Sequence, residues 1–449
     1  LGAALVAVVV LEAGLIWRER QHGEPVVPNK SDRSLKVRST PNWSEALLRG
    51  QIPFGVLLKI AAGLAIACFV IAMLLGATLP SIDFDVKEYH LQGPKEHLEN
   101  GYVGLLPHNV YTSFPFLTEM LTLLGMILAG DWFTGALVGK AVLMSFGPLT
   151  GLAVFAAGRR WFDDRVAWAA ALIFLTTPWT YRISVIAYAE GGITFYLFAT
   201  LFAVLLTIES LKSETGLNWR FVFLTGLLAG SAMACKYPGV LSVVLPLGLT
   251  VLWYVFRSGV RVPENSAVDL PKRLRAVVLV GLVYSAGVLI AVGPWLAKNA
   301  VETGNPVYPL LHGVFGGTDW TPTLDDNWRK AHSPPHHQPF DLLVKFYDVT
   351  CKSDWLSPLL FGLAPFSLFV LHRRRMIRGL WLYVGFLFLS WWFLTHRIDR
   401  FWIPLIPIVS LLSGVGVWSL GTERVWRVAA GAFVTLSVLF NFGYVSTYH

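Results

Sequence analysis

The chain of 449 residues is 55% hydrophobic and only 14% charged, with 18 tryptophans. A soluble domain carries about a quarter charged residues, so the composition excludes a soluble globular enzyme and points to an integral membrane protein. The net charge of +8 reads as a topology signal, because the basic residues gather on one side of the spans placed below; no nucleic-acid partner is expected.

The three cysteines, Cys68, Cys235 and Cys351, are far apart and give neither a disulfide framework nor a zinc spacing. The chain opens inside an apolar run, "LGAALVAVVVLEAGLIW". It lacks the basic leader of a signal peptide and is read as a spanning helix. A span needs about 20 mostly apolar residues. That criterion predicts twelve transmembrane helices, at 1–17, 53–79, 132–156, 166–183, 190–211, 220–235, 238–256, 276–296, 356–371, 379–394, 401–420 and 427–442. The segment 1–52 is expected to be one helix with a cytoplasmic linker, and 53–442 the main transmembrane domain, including loops 80–131 and 297–355.

Lys and Arg are retained in cytoplasmic loops. Placing "RERQ", "GRRW", "PKRLR" and "HRRR" inside collects 23 of the 36 basic residues there, and leaves nine of the 11 histidines on the outer face. No repeat of fixed period and no inverted repeat is evident.

The first long outer loop opens on "DFDVKEYH", which crowds Asp83, Asp85, Glu88, Tyr89 and His90 against the end of an apolar run. A carboxylate at a membrane exit can be a general base, a cation ligand or a helix N-cap; for Asp83 the cap is the simpler role. Further on, a helical stretch is expected around 88–98. The run "FLTEMLTLLGMILA", apolar with a single acid at Glu119, suits a helix lying in the interface.

Glu190 stands in "YAEGGITF" between apolar runs, where a carboxylate needs a partner. "ACKYPG" brings Lys236 and Tyr237 to the outer end of a span; Lys236 can bind a ligand or snorkel from a helix end. Lys298 and Tyr308 lie within the second outer loop. "THRIDR" adds His396, Arg397 and Arg400, and its arginines can bind an anion or pair with nearby acids. In "HSPPHHQP" His332, His336 and His337 lack the helical pairing of a zinc site. No metal site is assigned and no cofactor is firmly implied. A divalent cation held by Asp85 with His90 or a loop histidine is left open. The chain has no Gly-rich phosphate loop, serine elbow or nucleotide fingerprint.

Taken in order, "FDVKEYHLQGPKEHLENG", "LPHN", "SFPFLTEML", "YAEGG", "ACKYPG", "NPVYPL" and "THRIDRFWIPLIPI" resemble the GT-C superfamily of membrane glycosyltransferases. The likeness is to the branch of the protein O-mannosyltransferases and lipid A aminoarabinose transferases. That resemblance implies an all-α polytopic fold with external interfacial helices and a polyprenyl-phosphate-linked sugar as donor. It also implies an Asp, here Asp85, just after an early helix. The sequence departs from the pattern at Val86, where the family often has Glu, and at Glu190, where Asp is more typical.

The chemistry agrees with that placement. A lipid-phosphate sugar offers its leaving group at the membrane surface, and an acceptor hydroxyl needs a base there. Asp85 is the expected base. Lys236 and Arg400, with Arg397, His396 and Lys298, are the expected partners of the donor phosphate, and Glu88, Tyr89, His90, Glu190, Tyr237 and Tyr308 the expected pocket residues. The expected reaction is transfer of the sugar to a lipid, glycan or protein acceptor at the extracytoplasmic face of the inner or plasma membrane. The alternatives are a lipid-linked oligosaccharide polymerase or ligase, and a transporter or flippase. Charges clustered at one face rather than at mid-membrane argue against transport.

Overall fold

The computed structural model describes residues 54–212, 216–259, 271–335, 338, 340–420 and 424–447. The predicted first span, its linker and His336 and His337 lie outside these residues. Contacts divide the chain into residues 1–57, of which only the start of one helix is described, and residues 58–449, which hold everything below.

Helices α1 (Phe54–Ala77), α2 (Gln92–Asn100), α3 (Leu117–Ala129), α4 (Trp132–Met144), α5 (Phe146–Trp161), α6 (Asp164–Thr176), α7 (Pro178–Val185) and α8 (Glu190–Ser210) build the first half. They are followed by α9 (Trp219–Cys235), α10 (Leu245–Ser258), α11 (Lys272–Thr303), α12 (Pro322–His332), α13 (Asp341–Tyr347), α14 (Pro358–Leu363), α15 (Arg374–Leu394), α16 (Ile406–Leu420) and α17 (Arg424–Ser446). Among the described residues, eight helical stretches are long and apolar enough to cross a membrane.

Eight of the twelve predicted spans match these stretches, and three others are shorter. The 166–183 run is broken where Thr177 turns extended and Pro178 starts α7, because a residue before proline is driven out of helical geometry. The 220–235 run is α9, 17 residues long. The 356–371 run divides at Ala364 into α14 and a 3₁₀ turn with Pro365 in its first positions.

Outward-facing surfaces show what surrounds the bundle. On α1 Leu64 and Leu75 are both 63% exposed, and on α3 Leu128 is 76% exposed, whereas Thr118, Glu119 and Thr122 of α3 are buried. A helix with its polar residues inward and leucines outward is stable against lipid rather than water. At the centre, α8 and α16 are mostly enclosed. α8 packs on α9 and α5, α16 on α6, and α9 runs along α11.

Small residues permit that closeness. A Cβ on Gly226 of α9 would fall 2.1 Å from the Tyr284 carbonyl oxygen of α11, and one on Gly135 of α4 2.1 Å from the Met126 Cα of α3. Such backbone contact is how helices pack when lipid supplies no hydrophobic drive. The second pair fixes α3, the carrier of Glu119, against a spanning helix.

Candidate active site

Asp85 directly precedes a π-helical turn, Val86–His90, closed by Leu91 N–H donating to Val86 O at 2.9 Å. Wider turns of this kind are frequent at functional sites. This one buries Val86 and His90 while Asp85 and Glu88 keep some access. The Asp85 side chain caps nothing. It accepts instead from Arg400 Nη2 through Oδ2. Asp83 lies 3.7 Å from an Arg182 nitrogen, and its carbonyl accepts Lys87 N–H.

Arg400 belongs to the 3₁₀ segment Asp399–Leu405 that leads into α16. Its Nε is 3.5 Å from Glu190 Oε1. Glu190 is the first residue of α8 and is buried; the same oxygen accepts from Lys236 Nζ at 2.9 Å. Lys236 is placed by the end of α9, where the chain turns extended after Cys235. Two carboxylates and two cations from four separate segments thus alternate as Asp85, Arg400, Glu190 and Lys236. Such a network is tolerated in a low dielectric only because each charge meets its opposite. The Arg400 guanidinium also lies over the Tyr188 ring at 4.9 Å, and Lys236 Nζ over Phe401 at 5.2 Å.

A cavity of about 800 Å³ opens onto this network, within the range of small-molecule sites. Asp85, Glu88, Tyr89, His90, Glu190, Lys236, Tyr237, His396 and Arg400 line it, so nine of the residues expected from the sequence come together. Three do not line it. Lys298 pairs with Glu302 at 2.7 Å, one turn along α11. Arg397 stacks on Trp392 at 3.5 Å and donates to the Pro335 carbonyl. Tyr308 is buried and offers its carbonyl to Tyr237 Oη at 3.3 Å. These three shape the surrounding loops rather than the wall.

The rest of the wall is largely apolar, with Leu241, Leu387, Trp391, Leu394 and Leu405 contributed by the approach to α10, by α15 and by the approach to α16. Toward the second outer loop the wall is aromatic. Tyr89 stacks on Tyr111 at 5.0 Å, and Trp328 of α12 meets Tyr111 at 5.3 Å and Phe114 at 5.5 Å. Sequence reasoning missed Tyr111, Phe114, Tyr188 and Trp328, because single aromatics in an aromatic-rich chain carry no positional signal. It also gave no role to Glu119, although a lone acid in an otherwise apolar helix was a usable one.

Glu119 Oε1 lies 2.5 Å from His90 Nδ1, and its other oxygen accepts from Thr118 Oγ1 at 2.8 Å. The His90 ring lies tilted against Tyr89 at 4.1 Å and meets Tyr188 edge-on. Burial, then the Glu190 and Asp85 charges, push the Tyr89 phenol well above its ordinary range. Burial and then Asp83 bring Tyr188 up to about 12. Both therefore act as neutral hydroxyls. Burial, with His332, Arg400 and Lys236 adding to it, lowers His396 below the usual histidine value.

With His90 turned to Glu119 and Asp85 to Arg400, these donors do not converge on a cation. Among the described residues no group of three or more His, Cys, Asp or Glu side chains is gathered for a metal.

Residues 139–286 match the family described as dolichyl-phosphate-mannose-protein mannosyltransferase. No curated protein matches the chain by sequence. The fold is similar to that of ArnT from Cupriavidus metallidurans in the apo state, at 17% identity and a TM-score of 0.56, covering 81% of this chain and 59% of ArnT. The fold is GT-C-like.

ArnT solved with undecaprenyl phosphate bound gives the same TM-score of 0.56 at 16% identity, over 79% of this chain and 59% of that one. The oligosaccharyltransferase AglB of Archaeoglobus fulgidus, in complex with an inhibitory peptide and a dolichol-phosphate, matches at 14% identity and a TM-score of 0.50. That alignment covers 87% of this chain and 56% of AglB. The chain therefore spans less than two thirds of each of these GT-C-like proteins. Together with the eight apolar helices among the described residues, the shared fold makes this an integral membrane protein.

Proposed function

We infer that the protein is a glycosyltransferase that moves a sugar from a polyprenyl-phosphate carrier to a hydroxyl acceptor at the extracytoplasmic membrane face. The observation that carries this reading is the alternating Asp85–Arg400–Glu190–Lys236 network opening into a largely apolar cavity of about 800 Å³. The apolar wall suits a lipid tail, and two cations at its charged end suit a phosphate. The match to a mannosyltransferase family over residues 139–286, and neighbours bound to undecaprenyl phosphate and dolichol-phosphate, support the same donor class.

The residues imply an order of events. Arg400 occupies Asp85 Oδ2; a donor phosphate competes for Arg400 and so frees that oxygen. Asp85 then accepts the proton of the acceptor hydroxyl as its oxygen attacks the anomeric carbon. The bond from that carbon to the phosphate oxygen breaks, its electron pair leaves with the lipid phosphate, and Lys236 and Arg400 balance the developing charge. The acceptor enters past the aromatic residues of the second outer loop, and its class, lipid, glycan or protein, sets what that rim must admit.

The direct test is transfer from a radiolabelled polyprenyl-phosphate sugar by protein in lipid nanodiscs, comparing wild type with Asp85→Asn and Lys236→Ala. Transfer lost in the first and donor affinity reduced in the second supports the reading. Normal transfer in both removes it.

A further inference from the structure

The Glu119–His90 pair is used by none of the steps above, yet both residues line the cavity. His90 is 2% exposed and Glu119 3%. With Nδ1 committed to Glu119, the other ring nitrogen, Nε2, is buried and has no hydrogen-bond partner among the described residues. Glu190 Oε2 is likewise buried and unpaired, and His90 is close enough to Glu190 for their charges to interact. A buried polar atom left without a partner calls for an explanation.

Charge balance supplies one. Four carboxylates, Asp85, Glu88, Glu190 and Glu119, line the cavity with two permanent cations, Lys236 and Arg400. A phosphodiester adds a further negative charge and draws on the same two cations. Glu190, fully buried, then loses the partners that make its ionised form tolerable. A carboxylate bound at Nδ1 fixes the tautomer and the ring orientation, leaving Nε2 as the atom that can gain a proton. Around the imidazole stand Glu119 from α3, Glu190 from α8, Tyr188 from the turn before α8, and Tyr89 beside it. Both tyrosines are held neutral by burial.

We propose that His90, held by Glu119, is the proton-uptake site of donor binding: its Nε2 takes a proton from solvent as the donor phosphate engages Lys236 and Arg400, and the imidazolium balances Glu190. This rests on the cavity being a phosphate-donor site. Binding and protonation are then reciprocal. Donor affinity rises as pH falls, with a limiting slope of about tenfold per pH unit for one proton.

The experiment is isothermal titration of the full chain in nanodiscs with undecaprenyl methyl phosphate, a phosphodiester that keeps one charge at neutral pH. It is run in two buffers of different ionisation heat, so that proton uptake is read apart from binding. Wild type should take up close to one proton per bound lipid, and His90→Gln should bind with almost none. Glu119→Gln, which keeps a side-chain partner at Nδ1 without its charge, should fall between them and decides the matter if His90→Gln does not fold. Binding without proton uptake in wild type, or uptake that persists in the variants, overturns the His90 assignment and leaves the phosphate site standing. Failure of wild type to bind the lipid removes both.

Discussion

Arg400 donates to the carboxylate of Asp85 across 315 residues of chain, joining the segment before α16 to the turn after α1. Neither residue completes the site alone: Asp85 brings the proton acceptor and Arg400 the charge that a phosphate can claim. Asp85→Asn is expected to reduce sugar transfer by at least about a hundredfold, the ordinary range for losing a general base. Donor affinity should stay within a few-fold, since an isosteric change at the base acts on the transition state. Initial rates and equilibrium binding measured on the same preparation separate the two effects.

Lys236 and Arg400 should behave differently from Asp85. Truncating either to alanine is expected to weaken binding of undecaprenyl phosphate by roughly tenfold to a hundredfold, the range of about 1.5–3 kcal/mol for a hydrogen bond to a charged group. Arg400→Lys should rescue little, because lysine cannot reproduce contacts from two guanidinium nitrogens, Nη2 to Asp85 and Nε facing Glu190. Unchanged affinity in all three variants would move the phosphate elsewhere in the cavity.

The parts of this site legible in the sequence are those where a charge interrupts an apolar run. Asp85, Glu190, Lys236 and Arg400 each stand at a membrane exit, where an ionic side chain is expensive and therefore informative. Their pairing was not legible, because it depends on α8, α9 and the segment before α16 meeting in space. Lys298 and Arg397 carried the same signal without lining the cavity: one bonds within its own helix and the other stacks on Trp392. Two of the predicted spans are interrupted for a local reason. Hydropathy sums over Thr177-Pro178 and Ala364-Pro365 as if the helix continued, while proline geometry stops it.

The lowered value at His396 carries a pH prediction for stability. Its folded-state value lies below its unfolded one, so the unfolded chain binds the proton first. The resulting loss of stability is complete below the folded value and disappears above the ordinary histidine value of about 6.5. Thermal unfolding in detergent should therefore show wild type losing more stability between pH 8 and pH 5 than His396→Gln does. An equal loss in both would assign the acid sensitivity to other groups.

The last prediction concerns α12, the helix of the second outer loop nearest the cavity. It has no buried residue of its own. It is held through Trp328, whose ring meets Tyr111 and Phe114, and through His332, whose ring meets His396 edge-on. Few buried contacts mean low local stability and easy opening, and a segment anchored by a few ring contacts over a charged cavity suits a cover that excludes water during transfer. Trp328→Ala should leave folding of the bundle intact, because the spanning helices do not depend on it. It should raise amide exchange of residues 322–332 in the free protein and lower the ratio of transfer to hydrolysis of the donor. Binding of donor to wild type should slow the same exchange. Hydrogen exchange with and without undecaprenyl phosphate, alongside chromatography of free sugar and glycosylated product, measures both. Equal exchange in the two states, with an unchanged product ratio in Trp328→Ala, would make α12 a passive connector and leave water exclusion to Tyr111, Phe114 and the acceptor itself.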